Sequence, residues 1–367
     1  MIVLKILAFI FLLGLIIGIH EFGHLLAAKL FKVHVHSYAL GMGPRIFHKQ
    51  IKETSYELRL LPVGGFVSMA GESVNPSKND EAVPEDRKYY NKKYWQKVII
   101  LLAGVFMNFI LAIILFSCLV LKSGYATPIK NTISEVTEYS AAYDAGIQPN
   151  DKIIAIHCDD KTTKINTFFD ITVAIIDATD KTNVVIDYER NGQLMSSNIK
   201  LQYNEEEDRY LIGIVGKADE IYEVKWYNAP YFGFKYFIDT LDQFWSSLRI
   251  LFKPGGLKYL SGPIGIAQAT SSAVSAGFIA YIYLIALISA NVGIMNLLPL
   301  PILDGGQIVF ETIQKITKKP IPEKVKLIVI LISWLLIIAL MVVVFRNDIL
   351  RLFKIIKWGI KIWKEKF

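Results

Sequence analysis

The fold is decided by Leu15–Lys29, LIIGIHEFGHLLAAK, with His20, Glu21, Phe22, Gly23 and His24 at its centre. The stretch closes an apolar run that begins at Ile2; residues 2–19 carry one charge, Lys5, over a length able to span a bilayer. An ionised side chain near the middle of a spanning helix costs roughly 2.5–3.5 kcal/mol on insertion scales, so two histidines and a glutamate here point to function. On a helix, positions i and i+4 share a face. His20 and His24 can therefore offer imidazole nitrogens to one metal ion, with Glu21 placed to take a proton from an attacking water. A chance HExxH is a serious alternative on a soluble surface helix; inside an apolar run, where unpaired polar groups are penalised, the metal reading prevails.

Composition agrees with a membrane setting. Of 367 residues, 53% are hydrophobic, and the mean hydropathy of +0.39 is high for a soluble enzyme. The net charge of +7 raises nucleic acid as a partner, but the basic residues cluster beside apolar runs, where they suit anionic lipid and orientation signals; nucleic-acid binding is set aside. Cys118 and Cys158 are poorly placed to pair, and no cysteine-based zinc motif exists. Lys5 before an apolar run resembles a signal peptide, yet no small-x-small cleavage site follows at the usual distance, so a retained first helix is expected.

Four apolar segments, about 2–28, 98–121, 278–298 and 325–345, are each long enough to span. In the first, Gly14 and Gly18 have the GxxxG spacing that admits a close neighbouring helix. The loop between the first two spans is rich in Lys and Arg, which places it in the cytoplasm and the N-terminus outside. Within that loop VHVHSYALGMGPRIF (33–47) and YELRLLPVGGFVSMAGE (56–72) read as strands. His34 and His36 face the same way on such a strand; an interfacial role is favoured there over a second metal site. Residues 127–216 are acidic and less apolar. ISEVTEYSAAYDAGIQPNDKIIAI (133–156) reads as strand, short helix, turn, strand, and VVIDYERNGQLMSSNIKL (184–201) as a hairpin turning at Asn191-Gly192. The aromatic stretch 226–252 suits an interfacial amphipathic helix, and the basic tail, which includes Arg346, Arg351 and Lys354, suits an amphipathic segment although four spans leave it outside.

HExxH in a first apolar span resembles the site-2 protease family of intramembrane zinc metalloproteases, and the whole chain resembles its bacterial regulator-of-sigma-E protease branch. Supporting motifs are GMGPRIF (41–47), LPVGGFVSMAGE (61–72), Gly104 with Asn108, SGPIGIAQA (261–269) and the Asn296–Gly306 stretch NLLPLPILDGG. Val105 stands where the family commonly has proline, and Asn150 where its PDZ pattern has glycine; asparagine also tolerates φ > 0. Asn108 is read as an interhelical hydrogen-bonding residue. Pro299 and Pro301 must break the third span, and the two glycines after Asp304 are expected to free the backbone further. Irregular backbone at membrane depth is tolerated where it lines protein or a polar cavity. Spans one and three run parallel, and both motifs lie toward their C-terminal ends, so HEFGH and Asp304 fall at one depth. Asp304 is therefore read as the third ligand of a His₂Asp site with an open position.

The expected fold is an α-helical multi-pass membrane protein of four transmembrane helices, with a membrane-associated β-hairpin and an inserted, mainly β PDZ domain. The division is 1–122 (first two spans and hairpin loop), 127–216 (one circularly permuted PDZ domain), 217–276 (interfacial region), 277–345 (third and fourth spans) and 346–367 (basic tail). The resemblance implies Zn²⁺ held by His20, His24 and Asp304, Glu21 as catalytic base, and Asn296 positioning substrate. It implies single-pass membrane substrates, anti-sigma-factor-like or remnant signal peptides, cut in a bacterial cytoplasmic (inner) membrane after a prior outer cut. The hairpin would receive the substrate as an added strand, and the PDZ domain would take a peptide or filter by size. The competing reading is a catalytically inactive PDZ-containing scaffold, against which the intact Glu21 argues.

Overall fold

A computed structural model describes residues 2–72, 78–158, 161–178, 183–204, 209–216, 220–251 and 256–366. The acidic Asp159, Asp160 and Glu205–Asp208 lie outside the described residues, as do the side chains of the tail beyond Leu350. In chain order the elements are α1 (Ile2–Leu30), β1 (Val35–Ile51), β2 (Thr54–Met69), α2 (Lys78–Glu81) and α3 (Tyr94–Ser123). Short pieces follow: β3 (Tyr125–Ala126), β4 (Ile133–Val136), α4 (Ala141–Asp144), β5 (Lys152–Cys158), β6 (Lys161–Lys164), α5 (Phe168–Asp177), β7 (Asn183–Arg190) and β8 (Gln193–Lys200). Then come β9 (Gln202–Asn204), β10 (Arg209–Leu211), β11 (Ile214–Gly216), β12 (Ile221–Tyr222), α6 (Ala229–Leu251), α7 (Pro263–Ala276), α8 (Phe278–Asn296), α9 (Asp304–Thr317) and α10 (Glu323–Lys366). The chain divides into two compact units: 1–121 with 227–241 and 261–345, and 122–226 with 242–260 and 346–367.

In the first unit, the described residues include four helices long and apolar enough to cross a membrane: Ile2–Leu30, Tyr94–Ser123, Phe278–Asn296 and Lys324–Leu350. They match the four expected spans, so the chain has the apolar helices of a multi-pass membrane protein with a β-rich insertion. The outer faces stay apolar: Ile2, Val3, Leu4 and Leu7 of α1 and Leu331, Ile332 and Leu335 of α10 are exposed, as lipid contact requires. Between helices, Leu12 and Ile16 of α1 pack with Ile285 of α8, while Ala112 and Phe116 of α3 pack with Ala286 and Ala290 of α8 and Phe237 of α6. Of the GxxxG pair, Gly18 meets Leu40 and Tyr38 of β1, whereas Gly14 faces open space; Gly18 makes room for the hairpin rather than for a helix.

The β1–β2 hairpin folds further than a two-strand reading foresees. Ile51 to Phe47 pair with Thr54 to Leu58 across the turn at Lys52 (φ 53°). Ser37 to Leu40 then lie between two segments of β2: Ser55 to Leu58 on one side, with numbers rising together, and Ser68 to Gly65 on the other, antiparallel. Gly65–Met69 therefore forms one edge of the sheet. Glu57, buried within it, is held by Arg59 at 2.7 Å and by Arg45 at 3.5 Å.

Within 217–276 the described helices α6 and α7 pack against spanning helices. Gly233 of α6 sits against Ser117 of α3, and the ring of Phe237 lies 5.0 Å from that of Phe109, so the aromatic face of α6 is packed on a spanning helix. Pro263 opens α7 at its first turn, where its missing N–H costs nothing, and α7 runs beside α1 and α8. Residues 346–366 continue α10 as one helix.

In the second unit, β5–β8 form a sheet in the order β6-β5-β7-β8, and β4 pairs with β11. Its core gathers Ile133, Ile153, Ile156, Ile186, Tyr188 and Ile199 with Ile171 and Ile175 of α5. Thr167 and Asp170 close a capping box at the start of α5. Asn191 (φ 52°) and Gly192 (φ 80°) make the β7–β8 turn with both central residues left-handed, and Asn150 has φ 74°. Asp151, buried, takes Arg190 Nε and Nη2 at 2.7 Å each and the Gln148 N–H at 2.8 Å. This is a mainly β unit with one strand–turn–helix crossing.

Candidate metal centre

One turn of α1 carries the centre. His20 and His24 are buried side by side, their Nε2 atoms 3.2 Å apart and their rings edge to face. Asp304 Oδ2 lies 3.2 Å from His20 Nε2 and 3.5 Å from His24 Nε2. The three ligand atoms fall within 4.8 Å of one another, the one such group among the described residues. Asp304 Oδ2 is buried and accepts no well-formed hydrogen bond. A carboxylate oxygen left in that state, facing two imidazole nitrogens, is a donor set that fits a divalent cation with N and O preferences, zinc foremost.

Helix α3 builds the back wall with residues spaced four apart. His24 Nδ1 lies 2.8 Å from the Ile100 carbonyl, which accepts its N–H and leaves Nε2 as the lone-pair atom. A Cβ on Gly104 would stand 2.5 Å from His24 Nε2 and 2.8 Å from His20 Cε1, so glycine alone leaves room for the two rings. Asn108 Nδ2 lies 3.4 Å from His20 Nδ1, and the Ser289 hydroxyl of α8 donates to the Asn108 backbone carbonyl at 2.9 Å. The wall comes this close because Gly23, inside HEFGH, meets the Ala103–Gly104 backbone with no side chain between.

Asp304 arrives from the other side. The chain leaves α8 at Asn296, turns through Pro299 and Pro301, and starts α9 at Asp304 with Leu303 as N-cap. The two glycines behave differently from expectation. Gly305 and Gly306 are helical first-turn residues, needed because the Leu297 and Leu300 carbonyls fold back onto their Cα atoms. Farther along α9, Glu311 accepts Lys97 Nζ at 3.0 Å and Thr312 Oγ1 lies 2.9 Å from Tyr94 Oη, fastening α9 to α3.

The hairpin covers Glu21. A Cβ on Gly65 would lie 3.1 Å from Glu21 Cγ, and the Val67 N–H addresses the Glu21 carboxylate. Tyr38 donates to the Gly18 carbonyl at 2.9 Å; burial pushes its hydroxyl up to about 12, so it stays a donor. The sheet edge is thus docked one turn from the histidines.

Two other sequence candidates are placed elsewhere. Asn296 turns its Nδ2 back to the Val292 carbonyl at 3.1 Å and is not among the converging ligand atoms. His34 and His36 each face their own carboxylate, Glu53 at 3.4 Å and Asp80 at 2.7 Å, and Arg87 at 2.7 Å holds Glu53 below the usual carboxylate range. They staple the hairpin base to residues 80–87. Sequence reading missed Gly23, Gly65 and the Ile100 carbonyl; the available signal was the four-residue spacing Ile100, Gly104, Asn108, which marks one face of α3.

The family model described as "Peptidase family M50" matches residues 8–340. A Staphylococcus aureus protein named "Putative zinc metalloprotease" is 31% identical, over 95% of this chain and 98% of its own length. A Clostridium acetobutylicum protein of the same name is 34% identical over 95% and 97%, and one from Fusobacterium nucleatum is 34% identical over 84% and 89%. The match therefore runs from within the first apolar helix to within the fourth and includes His20, His24 and Asp304, and the chain belongs to peptidase family M50, the site-2 proteases.

Proposed function

We propose that this chain is an intramembrane zinc endopeptidase that cuts the membrane segments of single-pass proteins. The observation that carries the reading is the convergence of His20 Nε2, His24 Nε2 and Asp304 Oδ2 beside Glu21, within an apolar helix. His20, His24 and Asp304 would hold zinc. When bound, the ion supplies Lewis acidity, polarising the scissile carbonyl and making water easier to deprotonate. Glu21 takes the proton of the attacking water as the carbon–oxygen bond forms, and delivers it to the leaving nitrogen as the carbon–nitrogen bond breaks. Asn296 ends α8, just before the link to Asp304, and would turn from the Val292 carbonyl to align the substrate strand.

A helical substrate hides its carbonyls in i→i−4 hydrogen bonds and must be extended before attack. The edge segment Gly65–Met69, lying over Glu21, is suited to take an extended segment as an added strand. The inserted β unit is read as a single PDZ domain that tethers or sizes substrates, with prior outer shortening as the condition for entry. Its strand–turn–helix pattern and the left-handed Asn150 support that reading. The basic loop before α3 supports a cytoplasmic placement of the hairpin, and bacterial relatives support the cytoplasmic membrane as the location.

The test is incubation of the purified chain in lipid vesicles with a single-pass model substrate lacking its outer domain, products being mapped by mass. Cleavage inside the apolar segment, abolished by a zinc chelator and restored by zinc, is the expected result. Retention of the substrate without cleavage would favour the scaffold reading.

A further inference from the structure

Both histidines must present Nε2 lone pairs to one cation, and this fixes where their protons sit. His24 meets the condition through the Ile100 carbonyl, which takes its Nδ1–H. His20 needs an acceptor at its own Nδ1, and the side chain recorded at hydrogen-bonding distance there is Asn108, at 3.4 Å. As oriented, the amide nitrogen faces the ring. An N–H donated to Nδ1 would force the His20 proton onto Nε2, the atom that lies 3.2 Å from Asp304 Oδ2, and would remove His20 from the ligand set. The two ends of a carboxamide have the same shape, so rotating it by half a turn places Oδ1 against Nδ1 without moving any neighbour. Oδ1 as oriented has no hydrogen-bond partner, so the rotation breaks no bond that it makes.

We propose that Asn108 is the positioning residue of the metal centre, its Oδ1 accepting the His20 Nδ1–H and so holding the His20 Nε2 lone pair toward the metal. The assignment rests on the reading of His20, His24 and Asp304 as metal ligands. The side chain is fully buried, and the Ser289 hydroxyl donates to the Asn108 backbone carbonyl at 2.9 Å, tying α8 to this turn of α3. Ile100 and Asn108 then perform the same task for the two histidines, two helical turns apart on one face of α3, with Gly104 between them making room for both rings. Partners that orient ligating histidines are typically worth about 10- to 100-fold in metal affinity.

The test measures binding rather than turnover. The full chain in detergent is stripped of metal and titrated with Co²⁺, following the ligand-field absorption bands and the dissociation constant by competition with a chromophoric chelator. Four proteins are compared: wild type, Asn108→Asp, which keeps the acceptor and the shape, Asn108→Leu, which keeps the bulk and loses the acceptor, and His20→Ala. The expected result is affinity within a few-fold of wild type for Asn108→Asp. Asn108→Leu should bind about 10- to 100-fold more weakly with shifted bands. Near-wild-type binding by Asn108→Leu would overturn the assignment, as would equal weakening of the Asp and Leu variants, which would mark a packing role. If Asn108→Leu loses the near-ultraviolet dichroism of the folded chain, Asn108→Ala makes the same comparison. Failure of wild type to bind one equivalent in a manner lost in His20→Ala would show instead that the ligand reading is wrong, and the assignment falls with it.

Discussion

Gly23 and Ala103 meet backbone to backbone: a Cβ on Gly23 would lie 2.6 Å from the Ala103 carbonyl carbon and 2.8 Å from the Gly104 nitrogen. That contact lets α3 wall in both histidines. Gly23→Ala should therefore separate α1 from α3, losing about 1–3 kcal/mol of stability by overpacking and at least tenfold in zinc affinity. Gly104→Ala should spoil the metal centre at smaller cost to the helix pair, because its Cβ would stand against His24 Nε2 and His20 Cε1. Thermal unfolding and zinc content of the two variants check both outcomes.

Gly65 separates chemistry from metal binding. Its added Cβ would meet the Ala39 backbone oxygen and Ile17 Cγ2 at 3.0 Å each and Glu21 Cγ at 3.1 Å, and none of these three nearest atoms belongs to His20, His24 or Asp304. Gly65→Ala is expected to keep one zinc per chain while cleavage falls about 10- to 100-fold, since small displacements of a reacting group are costly. Zinc content and kcat measured on one preparation check this.

The Asp151–Arg190 pair anchors the turn before β5 in the second unit. Asp151→Ala removes a buried carboxylate holding two guanidinium hydrogen bonds and the Gln148 N–H. The expected loss is about 3 kcal/mol, read from denaturant unfolding of the full chain.

Acid should loosen the same unit. The Ser196 hydroxyl first, and His157 second, hold Asp187 below its ordinary carboxylate range. A depressed folded value means the stabilisation is complete above about pH 4, the unfolded value, and is lost as pH falls through the lower folded value. Asp187→Asn is expected to flatten this acid limb, which unfolding midpoints measured between neutral and strongly acidic pH will show.

Much of the centre was legible in the sequence. HEFGH at i and i+4 places His20 and His24 on one face because helix geometry is local, and the depth shared by the ends of spans one and three pointed Asp304 toward them. Alternating strands and Asn191-Gly192 were readable for the same local reason. The remainder depends on long-range approach. Nothing local says that Gly23 and Gly104 exist to let two helices touch, or that Ser37–Leu40 will sit between Ser55–Leu58 and Gly65–Ser68. The glycines after Asp304 look like helix breakers in isolation, yet they open α9, because the folded-back Leu297 and Leu300 carbonyls exclude a Cβ there. The packing of α6 on α3 was hidden by an aromatic face that suits a membrane interface equally well.

The most direct measurement compares wild type with Glu21→Gln in vesicles, on a single-pass substrate already shortened outside, with bound zinc determined for each protein. Wild type is expected to cleave within the apolar segment, and the Glu21→Gln protein to retain zinc and substrate without cutting. Equal cleavage by both proteins would contradict this, because the proton would then be moved by a group other than Glu21.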